Sequence, residues 1–183
     1  MEDVSSPSAR ARFEETVRLV GDPVRRYLWR RADPTTAEDV LAETLIVMWR
    51  RHERMPADAE AVAWAIGVAR LQLANANRAQ RRRDRLVAKI TVLDPPAAFV
   101  AEHSGPVDEA VRVTLAGLRT ADAEVLRLWA WDELAPREIA IVLGTTVNAA
   151  TVRLHRARRR FEGEWRKTHG GSGHIETREG DEP

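Results

Sequence analysis

Arginine is the residue whose type and spacing point most directly to a chemical role in this chain. Five arginines and no acidic residue fall between positions 153 and 160, and residues 78–89 hold six basic residues against the single acid Asp84. Guanidinium groups bind phosphates, which supplies affinity for nucleic acid without sequence information. The two clusters therefore predict two surfaces that contact nucleic acid, although a solvated basic helix end is the alternative reading of each.

The second cluster lies in a segment typical of a helix-turn-helix, PREIAIVLGTTVNAATVRLHRARRR at 136–160. Pro136 suits the first helical position, Gly144 the residue after a helix end, and Thr146 the cap of the second helix. Spacings of three and four predict a buried face on that second helix, made of Val147, Ala150, Leu154, Ala157 and Phe161. The opposite face then carries Asn148, Val152, Arg153, Arg156 and Arg160.

A helix-turn-helix places its second helix in the major groove of DNA, where exposed side chains contact base edges. We therefore expect the basic face of this helix to bind DNA, with Arg159 as a contact to phosphate. An ordinary amphipathic helical hairpin with a solvated basic face is the alternative interpretation of the same spacing.

Two acidic residues of a different segment suggest a surface for a protein partner. Asp39 and Glu43 lie four residues apart, so they share one helix face, where like charges weaken a helix by about 0.2–0.5 kcal/mol. An acidic helix face that lowers the stability of the helix in this way is suited to docking on a protein partner. The alternative interpretation is a solvated helix face that binds no partner. Acid–base catalysis is not indicated, because no histidine, nucleophile or glycine-rich loop accompanies the pair. We expect neither an enzyme nor a bound cofactor.

Composition narrows the class of protein further. The 183 residues contain no cysteine, which excludes disulfides and cysteine-based zinc sites, and the five histidines show no metal-ligand spacing. The net charge is only +1, so the separation of basic from acidic segments matters more than the total. No apolar run reaches the roughly 20 residues that span a bilayer, and the first ten residues lack a signal-peptide core. We expect a cytoplasmic protein without membrane insertion.

Almost every segment has the periodicity of a helix, and alternating β patterns are absent. We predict an all-α fold of two small helical domains joined by a flexible linker, the C-terminal one a helix-turn-helix. Gly21-Asp22-Pro23 should kink or split the first helix, and Thr35 or Thr36 should cap the second. The predicted helices before the helix-turn-helix cover residues 9–31, 37–51, 60–88, 107–119 and 120–131, with a loop at 52–60, a linker at 91–106 and a polar, disordered tail from Thr168.

Three motifs in this order resemble a known family. They are AEDVLAETLIVMWRR at 37–51, WAIGVARLQLANANRAQRRR at 64–83 and VRLHRAR at 152–158. Together they resemble the extracytoplasmic-function sigma factors, compact subunits of bacterial RNA polymerase, over about residues 12–166. The resemblance implies that the protein binds core RNA polymerase and directs it to a class of promoter DNA, with an anti-sigma factor as a further candidate partner.

The resemblance also implies roles for individual residues. It implies a polymerase-docking helix with Asp39, Glu43, Trp49 and Arg50, and a helix for the minus-ten element with Arg70, Asn75, Arg78, Arg81 and Arg82. It implies a helix for the minus-thirty-five element with Asn148, Thr151, Val152, Arg153, His155 and Arg156. The implied domains are a disordered N-terminus at 1–11, sigma domain two at 12–90, the linker at 91–106, sigma domain four at 107–166 and a disordered tail at 167–183.

The chain departs from the family pattern at a few positions, and these bear on which promoter is read. Leu71 and Asn75 stand where Asn and Asp are common, and Ala135 stands where a Ser or Thr usually caps the first helix of the helix-turn-helix. Two other functions compete with the sigma factor. A stand-alone helix-turn-helix regulator leaves the 37–51 helix unexplained, and a helical protein-binding adaptor treats the arginines as solubilising surface.

Overall fold

The structure, a computed structural model, describes residues 7–56, 59–90 and 106–169. These ranges contain α-helices and one short 3-10 turn and no strand, so the predicted all-α fold is confirmed. Residues 91–105 of the predicted linker lie outside the described residues, as do residues 1–6 and 170–183. The helices are α1 (Pro7–Trp29), α2 (Pro34–Arg50), α3 (Ala59–Ile90), α4 (Pro106–Ala116), α5 (Thr120–Ala130), α6 (Pro136–Leu143) and α7 (Val147–His169).

Helix α1 runs without a split through Gly21-Asp22-Pro23, where the sequence predicted either a kink or a split. Pro23 lies inside α1, where a proline costs about 3 kcal/mol because it lacks one backbone N–H and crowds the preceding turn. Val20, Val24 and Leu28 on the same helix are almost completely buried. Each such side chain contributes about 1.5–3 kcal/mol, so packing against α2 and α3 outweighs the cost of the proline.

The second helix is capped by Asp33, not by the predicted Thr35 or Thr36. The Asp33 carboxylate accepts a hydrogen bond from the Thr36 backbone N–H at 2.9 Å, and Pro34 occupies the first helical turn. Hydrogen bonds from Thr36 also lower the pKa of Asp33 below its usual range. A carboxylate is a strong N-cap acceptor, and the proline that follows it fixes the helix start one turn earlier than expected.

Helix boundaries elsewhere differ modestly from the predictions. A 3-10 turn at His52–Arg54 forms inside the predicted loop 52–60. Helix α1 begins at Pro7, two residues before the predicted helix 9–31, and α7 continues to His169, into the tail that was predicted to be disordered. At the C-terminal end, Lys167 pairs with Glu164 at 2.7 Å and the Thr168 hydroxyl donates to the Glu164 carbonyl at 3.0 Å, which extends α7 by one turn.

A continuous core joins all parts of the described fold. Helices α1, α2 and α3 pack around Tyr27, Met48 and Ile66, and helices α4 to α7 pack around Leu128 and Ile139. Helix α3 also packs against α6, so the two helical units contact one another. We call α1–α3 the N-terminal unit and α4–α7 the C-terminal unit. None of the helices within the described ranges combines the length and the apolar character needed to cross a membrane.

Candidate nucleic-acid interface

Local hydrogen bonds build the predicted helix-turn-helix from α6 and α7. The residue before α6, Ala135, has no side chain that could cap the helix. The Glu138 carboxylate instead stabilises the helix start by accepting a hydrogen bond from the Ala135 backbone N–H at 2.7 Å. Gly144 ends α6 with φ +61°, a left-handed conformation that glycine adopts without strain. The Thr146 hydroxyl accepts the Ala149 N–H at 3.2 Å and so caps α7. Helix, turn and helix are therefore confirmed where the sequence placed them.

The buried face of α7 follows the predicted spacing except at its first residue. Ala150, Leu154 and Ala157 are buried and Phe161 is half-buried, as expected. Val147 was predicted to be buried, and that prediction is wrong, because its side chain is 49% exposed. Helical side chains lean toward the N-terminus of their helix, so a residue at the first position points past the packed turn into solvent.

The exposed face of α7 carries all of the side chains predicted to meet the minus-thirty-five element. This face runs along one side of α7, whose other side packs against α5 and α6. Val152 is 39% exposed, so it lies on the surface and not in the core. The Thr151 hydroxyl donates to the Val147 carbonyl at 2.9 Å, which leaves its lone pairs free to accept. The exposed residues are Asn148, Thr151, Val152, Arg153, His155, Arg156 and Arg159.

Two other arginines of α7 are held by the C-terminal unit itself. The guanidinium of Arg158 lies over the Trp129 ring, 4.8 Å from its centre. Arg160 donates to the carboxylate of Asp122, an acidic side chain of α5 that is almost fully buried. Sequence spacing placed Arg160 on the exposed basic face, and it is exposed, but it also neutralises a buried charge.

The second predicted surface is the far half of α3, where the basic side chains are solvated. Arg78, Arg81 and Arg82 are exposed, and Asn75 accepts a hydrogen bond from Arg78. Leu71, Asn75, Arg78 and Arg82 follow one another at spacings of four and three, so they form one stripe along the helix. Leu71 begins this stripe and is 57% exposed. The stripe therefore presents the apolar side chain of Leu71 and the amide of Asn75 next to the guanidinium groups of Arg78 and Arg82.

Arg70 differs from the other residues predicted for the minus-ten element. It is half-buried, and its Nε lies 3.9 Å from a carboxylate oxygen of Glu124, which belongs to α5 of the C-terminal unit. Contact with the other unit therefore neutralises a side chain that the resemblance assigned to DNA.

The predicted polymerase-docking helix, α2, exposes its acidic pair. Asp39, Glu43 and Arg50 are exposed, whereas Trp49 is half-buried. The Trp49 ring packs edge-on against Phe13 at 4.9 Å between ring centres and stacks on His52 at 5.8 Å. Trp49 therefore joins α2 to α1 and presents only part of its ring outward.

A polar cluster that sequence reasoning missed joins the two units. Arg31, just after α1, pairs with Asp132, just after α5, with Nη2 and Oδ2 2.7 Å apart. The Tyr27 hydroxyl bonds to Glu124 at 3.3 Å, and the Arg31 guanidinium lies 3.9 Å from the centre of the Tyr27 ring. Burial, and after it the charge of Glu124, raises the pKa of Tyr27 well above its ordinary value. These partners lie about a hundred positions apart in the chain, and no local pattern signals their contact.

Metal coordination has no support in the part of the chain that the structure describes. No group of three or more His, Asp or Glu side chains in these ranges is arranged to hold a metal ion. The arrangement instead offers two exposed basic helices and one exposed acidic helix face.

Comparisons with known proteins match one module of the chain and its overall fold. Residues 108–161 match the family model of sigma-70, region 4. The fold is similar to the sigma factor RpoE in complex with the anti-sigma factor NepR from Bartonella quintana, with a TM-score of 0.59 and 18% identity over 83% of this chain and 95% of that chain. It is also similar to CnrH in complex with the cytosolic domain of CnrY, with a TM-score of 0.54 and 22% identity over 82% of this chain and 85% of that chain. A search of curated proteins finds no significant match.

Proposed function

We propose that this chain, which carries a sigma-70 region 4 module at 108–161 on a fold shared with a sigma factor, is itself an extracytoplasmic-function sigma factor. It binds core RNA polymerase and directs initiation at a class of promoters. The observation that carries the proposal is the coincidence of the family match with a fully formed helix-turn-helix whose outer face is basic. The protein performs no chemical step of its own in this role.

Each exposed surface has one task in this proposal. The acidic face of α2 docks on the polymerase through Asp39, Glu43 and Arg50, with the outer edge of Trp49 beside them. The basic stripe of α3 contacts the minus-ten element. The outer face of α7 enters the major groove at the minus-thirty-five element. Exposure and charge support these assignments, since all three faces are unburied in the fold.

Regulation by a protein partner also belongs to the proposal. Both similar structures contain a bound partner, and RpoE is bound to an anti-sigma factor. We infer that this chain acts in the cytoplasm, where polymerase and promoter are found, and that it has an anti-sigma partner of its own.

The competing functions explain less of the molecule. A stand-alone regulator would use α6 and α7 only, yet α1–α3 form a packed unit with an exposed acidic face that such a regulator does not need. A protein-binding adaptor would not need exposed arginines along the outer face of a helix-turn-helix. Transcription with core polymerase on a library of genomic fragments, with start sites mapped, separates the three functions.

The docking surface can be tested with a charge reversal. We expect Asp39→Arg with Glu43→Arg to abolish co-purification with core polymerase while leaving the helical circular dichroism intact. The matched control reverses Glu15 and Glu162, which are also exposed and change the net charge by the same amount. Undiminished binding by the first double variant would show that α2 is not the docking helix.

A further inference from the structure

The solvent side of α1 carries a large aromatic side chain that the core does not use. Val20, Val24, Tyr27 and Leu28 are buried, and they define the inner face of the helix. At about 3.6 residues per turn, Trp29 lies opposite the middle of that face, and its side chain is 54% exposed. Packing within the fold therefore does not account for the indole.

Trp29 differs from the other five tryptophans of the chain in having an uncovered ring. The rings of the others lie against a guanidinium, a histidine or the core, and these residues are Trp49, Trp64, Trp129, Trp131 and Trp165. In the part of the chain that the structure describes, no ring or guanidinium covers Trp29. Its flat face is therefore open to a ligand that can stack on it.

Three exposed arginines share this side of α1 with the indole. Arg25 and Arg26 precede Trp29 by four and three residues, so they are its neighbours on the helix surface, and the indole leans toward them. Arg18 lies eleven residues before Trp29, about 16 Å along the axis. Among the described residues, neither Arg18 nor Arg26 pairs with an acid, and Arg25 approaches the exposed Asp22 only to 3.9 Å. We call Arg18, Arg25, Arg26 and Trp29 the α1 face.

We propose that the α1 face is a binding site for an unpaired nucleic-acid strand, with the Trp29 indole stacked on a base and the guanidinium groups on phosphates. An aromatic ring beside a row of cations is the combination that binds single strands. The strand must be unpaired, because both faces of a base in a duplex are already stacked on its neighbours. The α1 face is long enough for about five nucleotides at about 3.4 Å each.

The chemistry of the α1 face favours a nucleotide over an acidic protein. Carboxylates would satisfy the arginines but would leave the indole without a flat partner, whereas a nucleotide supplies an anion and a ring together. These residues belong to neither the α3 stripe nor the outer face of α7, so the site goes beyond the proposed function and does not depend on it.

Helix electrostatics alone does not explain the α1 face. Cations in the last turn of a helix interact favourably with its dipole, which is a sufficient reason for Arg26. Arg18 lies three turns before the end of α1, beyond the range of that effect, and an indole carries no charge. Arg30 donates to the Trp131 carbonyl, so we do not include it in the site.

Photocrosslinking locates the proposed contact directly. An oligothymidylate that contains 5-iodouracil couples, on irradiation, to an aromatic side chain stacked on that base. Trypsin cleaves after arginine, so Trp29 is released in the peptide 27–30. We expect the full chain to crosslink on this peptide and expect Trp29→Leu, which keeps an apolar side chain but has no ring, to abolish that crosslink. Crosslinks found only on peptides of α3 or α7 would overturn the proposal.

A binding experiment measures how much the indole contributes. Anisotropy with a labelled thymidylate of about ten nucleotides is measured in a background that removes competing cations of α3, namely Arg78→Ala, Arg81→Ala and Arg82→Ala. Trp29→Ala should weaken binding about tenfold and Trp29→Phe much less, because a phenyl ring still stacks.

The matched control is Leu19→Ala, which removes a similarly exposed apolar side chain from α1, and it should change the affinity less than twofold. Trp29→Ala should leave the affinity for a duplex of the same length unchanged, because a duplex offers no open base face. Equal single-strand affinities with and without the indole would overturn the proposal.

The phosphate contacts predict a salt dependence in the same assay. Arg18→Ala with Arg26→Ala should lower the salt slope by about 1.4, which is about 0.7 for each phosphate contact of a single strand. Arg51→Ala with Arg54→Ala removes two exposed arginines elsewhere and should leave the slope unchanged. Equal slopes for the two double variants would overturn the phosphate contacts. A uridylate of the same length shows whether DNA or RNA is the tighter ligand, and all of these results stand whether or not the chain directs transcription.

Discussion

Helices α3 and α7 are both rich in arginine, but the fold treats their arginines differently. On α3, Arg78, Arg81 and Arg82 are exposed, and Arg78 bonds only to a neighbour on its own helix, Asn75. On α7, Arg158 and Arg160 are anchored to α5, while Arg153, Arg156 and Arg159 are exposed. The same residue type therefore serves as a solvated charge on one helix and partly as a structural contact on the other.

This difference shows that a run of arginines in a sequence can contain both solvated side chains and side chains that hold two helices together. Arginines of α3 can neutralise phosphates without a change in the protein, since none of the three holds another element. Two arginines of α7 instead contact α5, Arg158 over the Trp129 ring and Arg160 on the Asp122 carboxylate. Contacts to phosphate carry no sequence information, whereas contacts to base edges do, so the two helices are suited to different parts of recognition.

The largest expected effect comes from removing the solvated charges of α3. Arg78→Ala, Arg81→Ala and Arg82→Ala together should weaken promoter binding by holoenzyme on the order of a hundredfold at 0.1 M salt, since three phosphate contacts are lost. The salt slope should fall by about 2–3, and the preferred sequence should stay the same. Anisotropy titrations across a salt series measure both quantities, and an altered sequence preference would show that α3 contacts bases through these side chains.

A smaller effect should separate anchored from free arginines on α7. Arg160→Ala leaves the carboxylate of Asp122 buried without its partner, which should lower the free energy of unfolding by about 2 kcal/mol. Arg159→Ala, one residue away and exposed, should change it by less than about 0.5 kcal/mol. Chemical denaturation of the two variants measures both free energies of unfolding. Equal stabilities would show that the contact between Arg160 and Asp122 does not stabilise the fold.

Sequence patterns predicted local features of these helices and missed contacts across the fold. Periodicity, Gly144 and Thr146 were sufficient to place the helix-turn-helix, because each acts within a few residues. The same local reasoning expected a kink or a split at Gly21-Asp22-Pro23 and a cap at Thr35 or Thr36. Helix α1 is not split, because tertiary packing outweighs the local cost of the proline. The cap prediction was wrong, because Asp33 is a stronger acceptor before Pro34.

The inter-unit contacts lay outside what spacing can predict. Arg31 and Asp132 look like ordinary surface charges in the sequence, and only the fold brings them together across about a hundred residues. Arg70 was assigned to DNA through the family motif, and its proximity to Glu124 becomes visible only when α5 is placed beside α3. The site residues themselves remain predictions, since exposure permits a contact with polymerase or DNA without identifying it.

The smallest expected effect is also the most specific, and it concerns Val152. This side chain is 39% exposed on the outer face of α7, and without a polar atom it cannot hydrogen-bond a base edge. It can pack on a thymine methyl group, the one apolar feature of the major groove. We expect Val152→Ser to change the preferred base at one position of the minus-thirty-five element, with a loss of about 1 kcal/mol for thymine there.

Arg159→Ala is the control for that substitution, because it should weaken all promoters alike and lower the salt slope by about 1. Selection from randomised promoters with wild type and both variants measures the preference directly. Val152 is exposed, so a core role cannot account for a change in preference, and the residue lies one turn beyond the capped start of α7, where a recognition helix reaches base edges. An unchanged selected sequence with Val152→Ser would assign base recognition to its polar neighbours Asn148, Thr151 and Arg153, and would leave Val152 as exposed surface.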